Sequence, residues 1–355
     1  MLTVFLAAVL WGGTLAFGVP VTRRLALLAG LWIGGIAAHL LLPPDHAVRQ
    51  ALGGDARVWL VLGGVIALIA VYFRGVGWLR ARARPVAEAA AEPVPAVSQT
   101  ASAYQPDELD RYARHIFLHE IGGPGQKALK GARVLVLGAG GLGAPALLYL
   151  AAAGVGRITV VDHDRVERSN LQRQIIHADA RIGEPKALSA AAALRALNPH
   201  VEVLPIIARF GTDTGPDLIA GHDLVLDGTD DLATRELVNR LAVAAGVPLV
   251  WGALARWEGQ VSVFDPARGG PCLACLFPVR PAPGMVPSCA EAGVAGPLPG
   301  IIGAIMATEA VKQITGAGQT LRGRLMLHDA LYADARVIGV KPRPGCPVCG
   351  HLHQS

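Results

Sequence analysis

The stretch VLVLGAGGLGAPALLYLAAAGVGRITVVD, Val134 to Asp162, constrains the fold more than any other part of the 355-residue chain. Arg133–Leu137 is a short apolar run of strand type. Gly138, Gly140 and Gly143 then give G-x-G-x-x-G, Ala-rich helical sequence follows as far as Gly154, and ITVV leads to Asp162. Strand, glycine turn, helix, strand and acid make the first half of a doubly wound sheet. The glycines let backbone approach phosphates, and the helix N-terminus offers N–H groups and the positive end of its dipole. Asp162 falls where a carboxylate accepts hydrogen bonds from ribose hydroxyls. An adenine nucleotide is the expected ligand.

The next segment departs from what a hydride-transfer enzyme needs. ERSNLQRQIIHADARIGEPKA offers Asn170, Arg173 and Lys186. Two cations beside a phosphate loop fit three phosphates better than a bridged pyrophosphate, and they would stabilise charge on a leaving pyrophosphate. The competing reading is a solvated helix face. HDLVLDGTDD is a further strand, ending in Asp227, Asp230 and Asp231. A carboxylate at the carboxyl end of such a strand can hold Mg²⁺. These acids can also cap the helix starting near Leu232; capping and metal binding need different carboxylates, so the two readings are compatible.

Apolar residues make up 52% of the chain, and mean hydropathy is +0.42. The excess sits in the first 80 residues, in apolar runs at 1–19, 25–42 and 58–73. Eighteen helical residues reach about 27 Å, close to a bilayer's hydrocarbon core. The expectation is a transmembrane anchor of about three helices over residues 1–80. An Ala/Pro-rich linker over 81–104 and a catalytic domain over 105–355 follow. A cleaved signal peptide competes for the first run, which lacks a basic leading region. Arg23, Arg24 and the cluster Arg74, Arg80, Arg82 and Arg84 set the orientation by the positive-inside rule. They place the N-terminus outside the inner membrane and the catalytic domain in the cytoplasm. The net charge of +5 is then a juxtamembrane flank rather than a nucleic-acid stripe. His39, near the end of the second run, is given no role.

Five cysteines are present. Cys272 with Cys275, and Cys346 with Cys349, form two C-x-x-C pairs that can close a tetrahedral thiolate site around Zn²⁺. Filling all four positions with thiolates leaves no place for water, so a structural metal is expected. Redox-active C-x-x-C is the rival reading. Cys289 is left over, in VPSCAEAGVAGP, in or beside a Pro-rich loop.

From about Asp107 to Gly350 the chain resembles the ThiF/MoeB/HesA adenylyltransferases, relatives of the ubiquitin-activating enzymes. RYARH, GAGGLG, SNLQRQ, GEPKA, LDGTDD, CAEAGVAGP and the paired CLAC and CPVC carry the resemblance, in that order. It implies an α/β, Rossmann-like fold of the ubiquitin-activating-enzyme type with a mixed central sheet. It implies ATP- and Mg²⁺-dependent adenylation of the C-terminal glycine of a ubiquitin-like sulfur carrier ending in Gly-Gly, releasing pyrophosphate, by a homodimer. Carried over residue by residue, Gly138, Gly140, Gly141 and Gly143 match the phosphate loop and Asp162 the ribose acid. Ser169, Asn170 and Arg173 match nucleotide contacts, and Lys186 the phosphate lysine. Asp230 matches the Mg²⁺-side acid, with Asp231 beside it. Arg114 matches an arginine supplied across the subunit interface. Cys289 matches a cysteine that in some members forms a carrier thioester or acyl disulfide and in others is dispensable.

Two positions depart from the family pattern: Asp231 where Asn is more usual, and His115 where Gln is commoner. RWEGQVSVF and LHDA resemble molybdopterin-synthase activators of molybdenum-cofactor biosynthesis more than thiamine-pathway ones, and the latter stays as the alternative. No rhodanese-like domain follows Cys349, so a separate sulfur donor is expected. Two rivals of other kinds stand beside this reading. An NAD-dependent oxidoreductase has no use for Arg173 or Lys186. A nonenzymatic membrane scaffold has no need of Arg114, Arg173, Lys186 and Asp230 together.

Overall fold

The structure, a computed structural model, describes residues 20–52, 57, 59–61, 63–65, 68–69, 71–78, 104–279 and 293–353. Cys289, most of the linker and the first apolar run lie outside the described residues. The chain divides into two units, residues 1–90 and 91–355.

In the first unit, helix α1 spans Val21–Leu41 and α2 spans Ala47–Leu52. Trp32 Nε1 donates to the Trp59 carbonyl at 2.7 Å. The buried His39 ring lies 6.0 Å from that of Trp59, and its Nδ1 bonds Gly35 O at 2.8 Å. The expected membrane location is overturned here. Among the described residues no helix is long and apolar enough to cross a membrane. Thr22, Arg23 and Arg24, expected in a loop between spans, belong to the first turn of α1.

In the second unit the helices and strands alternate. Helices α3 (Pro106–Ile116) and α4 (Gly122–Gly131) lead into β1 (Arg133–Leu137), α5 (Gly143–Ala153) and β2 (Arg157–Val161). Next come α6 (Lys186–Leu197), β3 (Glu202–Ile206), α7 (Gly215–Ala220), β4 (Leu224–Asp227) and α8 (Leu232–Ala245). The remainder is β5 (Leu249–Ala255), β6 (Glu258–Phe264), α9 (Leu273–Leu276), α10 (Leu298–Thr315), β7 (Arg324–Asp329) and β8 (Asp334–Gly339). One eight-stranded sheet runs in the order β3-β2-β1-β4-β5-β6-β7-β8. Pairing is parallel from β3 to β5 and antiparallel from β5 to β8. The expected mixed α/β, Rossmann-like sheet is what the chain adopts.

Composition explains the parallel half. In β1, Val134 to Leu137 are all buried, and so is every residue of β4; unbroken apolar runs are what strands covered on both faces require. Helix α5 is Ala- and Leu-rich all round and correspondingly buried. Its Leu147 and Leu150 are fully buried, each stabilising the fold by about 2 kcal/mol. One face of the sheet packs α4, α5, α6 and α10; the other packs α7, α8 and α9.

Two glycines in the first turn answer to geometry. Gly138 has φ +89°, a left-handed conformation that side chains resist. A Cβ on Gly143 would lie 1.8 Å from Gly138 O, so the loop folds back on its own helix only because that atom is missing. Gly143→Ala is therefore expected to destabilise the second unit by about 3 kcal/mol, read as a lower urea midpoint with an unchanged slope.

Candidate active site

Four parallel strands deliver their carboxyl ends to one crevice, the place where open α/β sheets bind ligands. The loop after β1 brings Gly138, Gly140 and Gly141, and the loop after β2 brings Asp162 and Asp164. Arg209 follows β3, and Asp230 and Asp231 follow β4. All of these line one cavity of about 730 Å³, together with Arg173 and Lys186. Further wall comes from β5 and β6, through Ala253, Ala255, Glu258 and Gln260.

The glycine loop is gripped at one residue, through the two peptide groups that flank it. The N–H of Ala139 donates to Asp162 Oδ2 at 2.8 Å, and the Ala139 carbonyl accepts from His177 Nε2 at 2.9 Å. That bond requires the Nε2–H tautomer, which leaves His177 Nδ1 to accept from the Ser189 hydroxyl at 2.9 Å. Burial, reinforced by the nearby Lys186 ammonium, holds the His177 pKa below its usual value. Asp162 is 8% exposed, and its second oxygen accepts from the Asp164 N–H at 2.8 Å. Both its oxygens thus serve the protein's own backbone, and each retains a lone pair.

Lys186 opens α6 and is buried, 6% exposed. Its ammonium donates to Asp164 Oδ2 at 2.8 Å, and its backbone N–H donates to Asp164 O at 2.8 Å. Burial opposes ionisation of Asp164, and the Lys186 ammonium more than offsets it, so the carboxyl sits below its ordinary range. The pair holds the Lys186 side chain in place on the cavity wall.

The acids after β4 divide their tasks. Asp231 caps α8, accepting from Thr234 N–H at 2.8 Å and from its hydroxyl at 2.6 Å. Asp230 is exposed on the cavity wall. Asp227 is fully buried, and desolvation raises its pKa. Its Oδ1 accepts from the Thr229 N–H and hydroxyl. Arg235, one turn into α8, donates from Nε to Thr229 O at 2.9 Å and lies over the Trp251 ring at 5.6 Å. It fixes the turn that carries Asp230.

Four expected site residues do not line the cavity. Gly143 is packed inside the loop. Ser169 and Asn170 lie on the 3₁₀ turn Arg168–Asn170, where the Ser169 carbonyl accepts from Arg173 Nη1 at 3.2 Å. Arg114 is exposed in the last turn of α3. The sequence reading had missed Asp164, His177, Arg209, Arg235 and Trp251. Asp164 was the most findable, two residues beyond the strand-end acid.

Away from the nucleotide loop, Cys272, Cys275, Cys346 and Cys349 converge, all buried. Their sulfurs lie 3.4, 3.7 and 3.9 Å apart across three pairs. A tetrahedron of Zn–S bonds of about 2.3 Å has edges of about 3.8 Å, so the cage fits zinc. Burial, with the charge of the neighbouring cysteines, pushes the Cys272 thiol up to about 11; a bound dication reverses that by stabilising thiolate. The donor set is all sulfur, as for a closed structural site.

A strand-end cavity with a clamped glycine loop, a lining that includes Arg173, Lys186 and Arg209, and a four-thiolate cage define an α/β nucleotide-binding protein of the activating-enzyme type. Residues 112–348 match the ThiF family, and the chain belongs to that family. It is similar to the sulfur carrier protein adenylyltransferase of Thermus thermophilus, 51% identical over 248 residues, covering 69% of this chain and 92% of that protein. It is also similar to the molybdopterin-synthase adenylyltransferase of Escherichia coli, 46% identical over 243 residues, covering 68% and 97%. The crystal structure of Escherichia coli MccB with MccA-N7isoASN superposes with a TM-score of 0.61 at 23% identity, over 68% of this chain and 74% of that one; the likeness is one of fold.

Two outcomes are expected. Purified protein should hold about one zinc per chain, and Cys346→Ser should lose the metal and about 3 kcal/mol of stability, read by elemental analysis and denaturation. His177 should make stability pH-dependent. Above its unfolded value of 6.5 both states are neutral and stability is full. Below it the unfolded chain binds a proton that the fold resists, until the lowered folded value is reached. From pH 7.5 to 5.5 wild type should therefore lose more stability than His177→Gln, by at most about 1.4 kcal/mol per pH unit.

Proposed function

We propose that residues 105–355 form an adenylyltransferase domain that activates the C-terminal glycine carboxylate of a ubiquitin-like sulfur carrier. The carrier is of the molybdopterin synthase small-subunit type, and the activation prepares it for sulfur transfer in molybdenum cofactor biosynthesis. One observation carries the reading: Arg173 and Lys186 reach into the same cavity as Gly138, Gly140 and Gly141. A redox dinucleotide leaves those cations without work. The names of relatives at 46–51% identity support the same chemistry.

The reaction joins a carboxylate oxygen of the carrier to the α-phosphorus of ATP and breaks the bond from that phosphorus to the bridging oxygen, which leaves as pyrophosphate. A carboxylate facing a polyanion is repelled, so catalysis consists mainly of cancelling charge and holding the two in line. The clamped Ala139 backbone holds the glycine loop so that its remaining N–H groups face phosphate. Arg173 and Lys186 take the charge that grows on the leaving group. Asp164 orients Lys186 through the 2.8 Å bond, while the two remaining ammonium hydrogens serve phosphate. The spare lone pairs of Asp162 accept from ribose hydroxyls. Mg²⁺ bound with the nucleotide supplies further charge neutralisation, and Asp230 is the residue proposed to hold it. Arg114 is proposed to enter the site of a second copy in a homodimer, and sulfur comes from a separate donor.

Arg173→Ala should lower carrier-dependent ATP–pyrophosphate exchange about a hundredfold, near 3 kcal/mol of barrier. Exchange close to wild type would refute the assignment.

A further inference from the structure

The cysteine cage and the reaction cavity share a wall. Each C-x-x-C knuckle carries cavity-lining residues between its two sulfurs: Leu273 and Ala274 between Cys272 and Cys275, and Val348 between Cys346 and Cys349. Phe277, just past α9, lines the same cavity and sits 5.7 Å from the Trp251 ring. The knuckles are far apart in the chain; Cys272 and Cys346 are 74 residues distant. Helix α8 joins the cage to the site. Its Asn239 accepts the Leu273 N–H at 2.9 Å, and its Val243 packs on the four cysteines. At its other end, Asp231 caps the helix beside Asp230. By contrast Gly138, Asp162 and Lys186 stand at the ends of β1 and β2 and the start of α6, elements that hold no cysteine.

We propose that the four-thiolate centre is a positioning element of the reaction cavity. Closed around its metal, it sets the wall of Leu273, Ala274, Phe277 and Val348 against which the carrier's C-terminal tail lies. The assignment of that wall to a tail rests on the carrier reading above. The physical argument is one of rigidity. Metal–sulfur bonds fix four sulfur positions, and through the short cysteine side chains they restrain the backbone of the residues between them. Without the metal, four buried thiols attract one another weakly, and the two knuckles are held only by local packing. The wall then moves, and α8 with it, while the nucleotide side keeps its own clamps.

The test uses the full chain with two probes, Mg·ATP and a labelled ubiquitin-like carrier ending in Gly-Gly. Val348→Trp fills the wall and leaves every thiolate in place. It should retain the wild-type zinc content and ATP affinity while carrier affinity falls at least about tenfold, the scale of a small misplacement at a packed site. Ala274→Phe should act alike, which guards against one variant failing to fold. Removing zinc from the wild type with a chelator should speed amide hydrogen exchange in Leu273–Phe277 and α8, with β1 and β2 still protected. Two results would overturn the proposal: carrier binding by both filled variants that matches wild type, or exchange in α8 and Leu273–Phe277 that ignores the metal. If wild type captures no such carrier, the carrier reading falls, and the exchange pattern still decides whether metal and wall are coupled.

Discussion

The backbone of Ala139 is where the second unit is pinned. Its N–H is held by a carboxylate from the end of β2, and its carbonyl by a histidine in the segment before α6. A glycine-rich loop has little stiffness of its own, because glycine loses more backbone freedom on ordering than any other residue. Two buried hydrogen bonds from opposite sides supply that stiffness. They add to the hydrogen bonds that already join these three pieces of chain, among them Gly138 N–H to Val161 O and Lys186 N–H to Asp164 O. Everything that faces a nucleotide, from Lys186 to the turn after β4, is placed relative to this loop.

Much of this was legible in the sequence, and for a physical reason. Strand, glycine turn, helix and acid are contiguous, so their spacing alone fixes their arrangement. The paired cysteines were equally readable, since only a few geometries satisfy four thiolates at two short spacings. His177, Asp164 and Arg235 were not readable in the same way. Each acts on a backbone group or side chain that the fold brings near, and nothing local marks the pairing. Asp231 shows the limit from another side. Capping of the helix near Leu232 was one of two tasks open to these acids, and only the fold shows which carboxylate takes it, Asp231 accepting from Thr234. The apolar N-terminal runs misled for a simpler cause: hydropathy counts residues, and it does not say where a helix begins. In α1 the basic pair lies inside the first turn.

The change from parallel to antiparallel pairing at β5 divides the labour of the sheet. Parallel strands aim their loops at one edge, and so they gather phosphate-facing groups. The hairpins from β5 to β8 provide broad surface instead, with Glu258 and Gln260 facing the cavity from β6. The cysteine cage fastens the far end of this second half to the segment after β6.

Strand β1 has a consequence for how the chain is made. It pairs with β2 on one side and with β4 on the other, and the Arg133 N–H bonds Asp223, 90 residues later. On a ribosome, β1 leaves the exit tunnel long before that neighbour has been synthesised. For that interval a strand destined for the centre of the sheet has an open edge, the condition in which nascent chains associate wrongly or recruit chaperones. Burying the chemically essential loop at the heart of the sheet thus makes its assembly wait on translation.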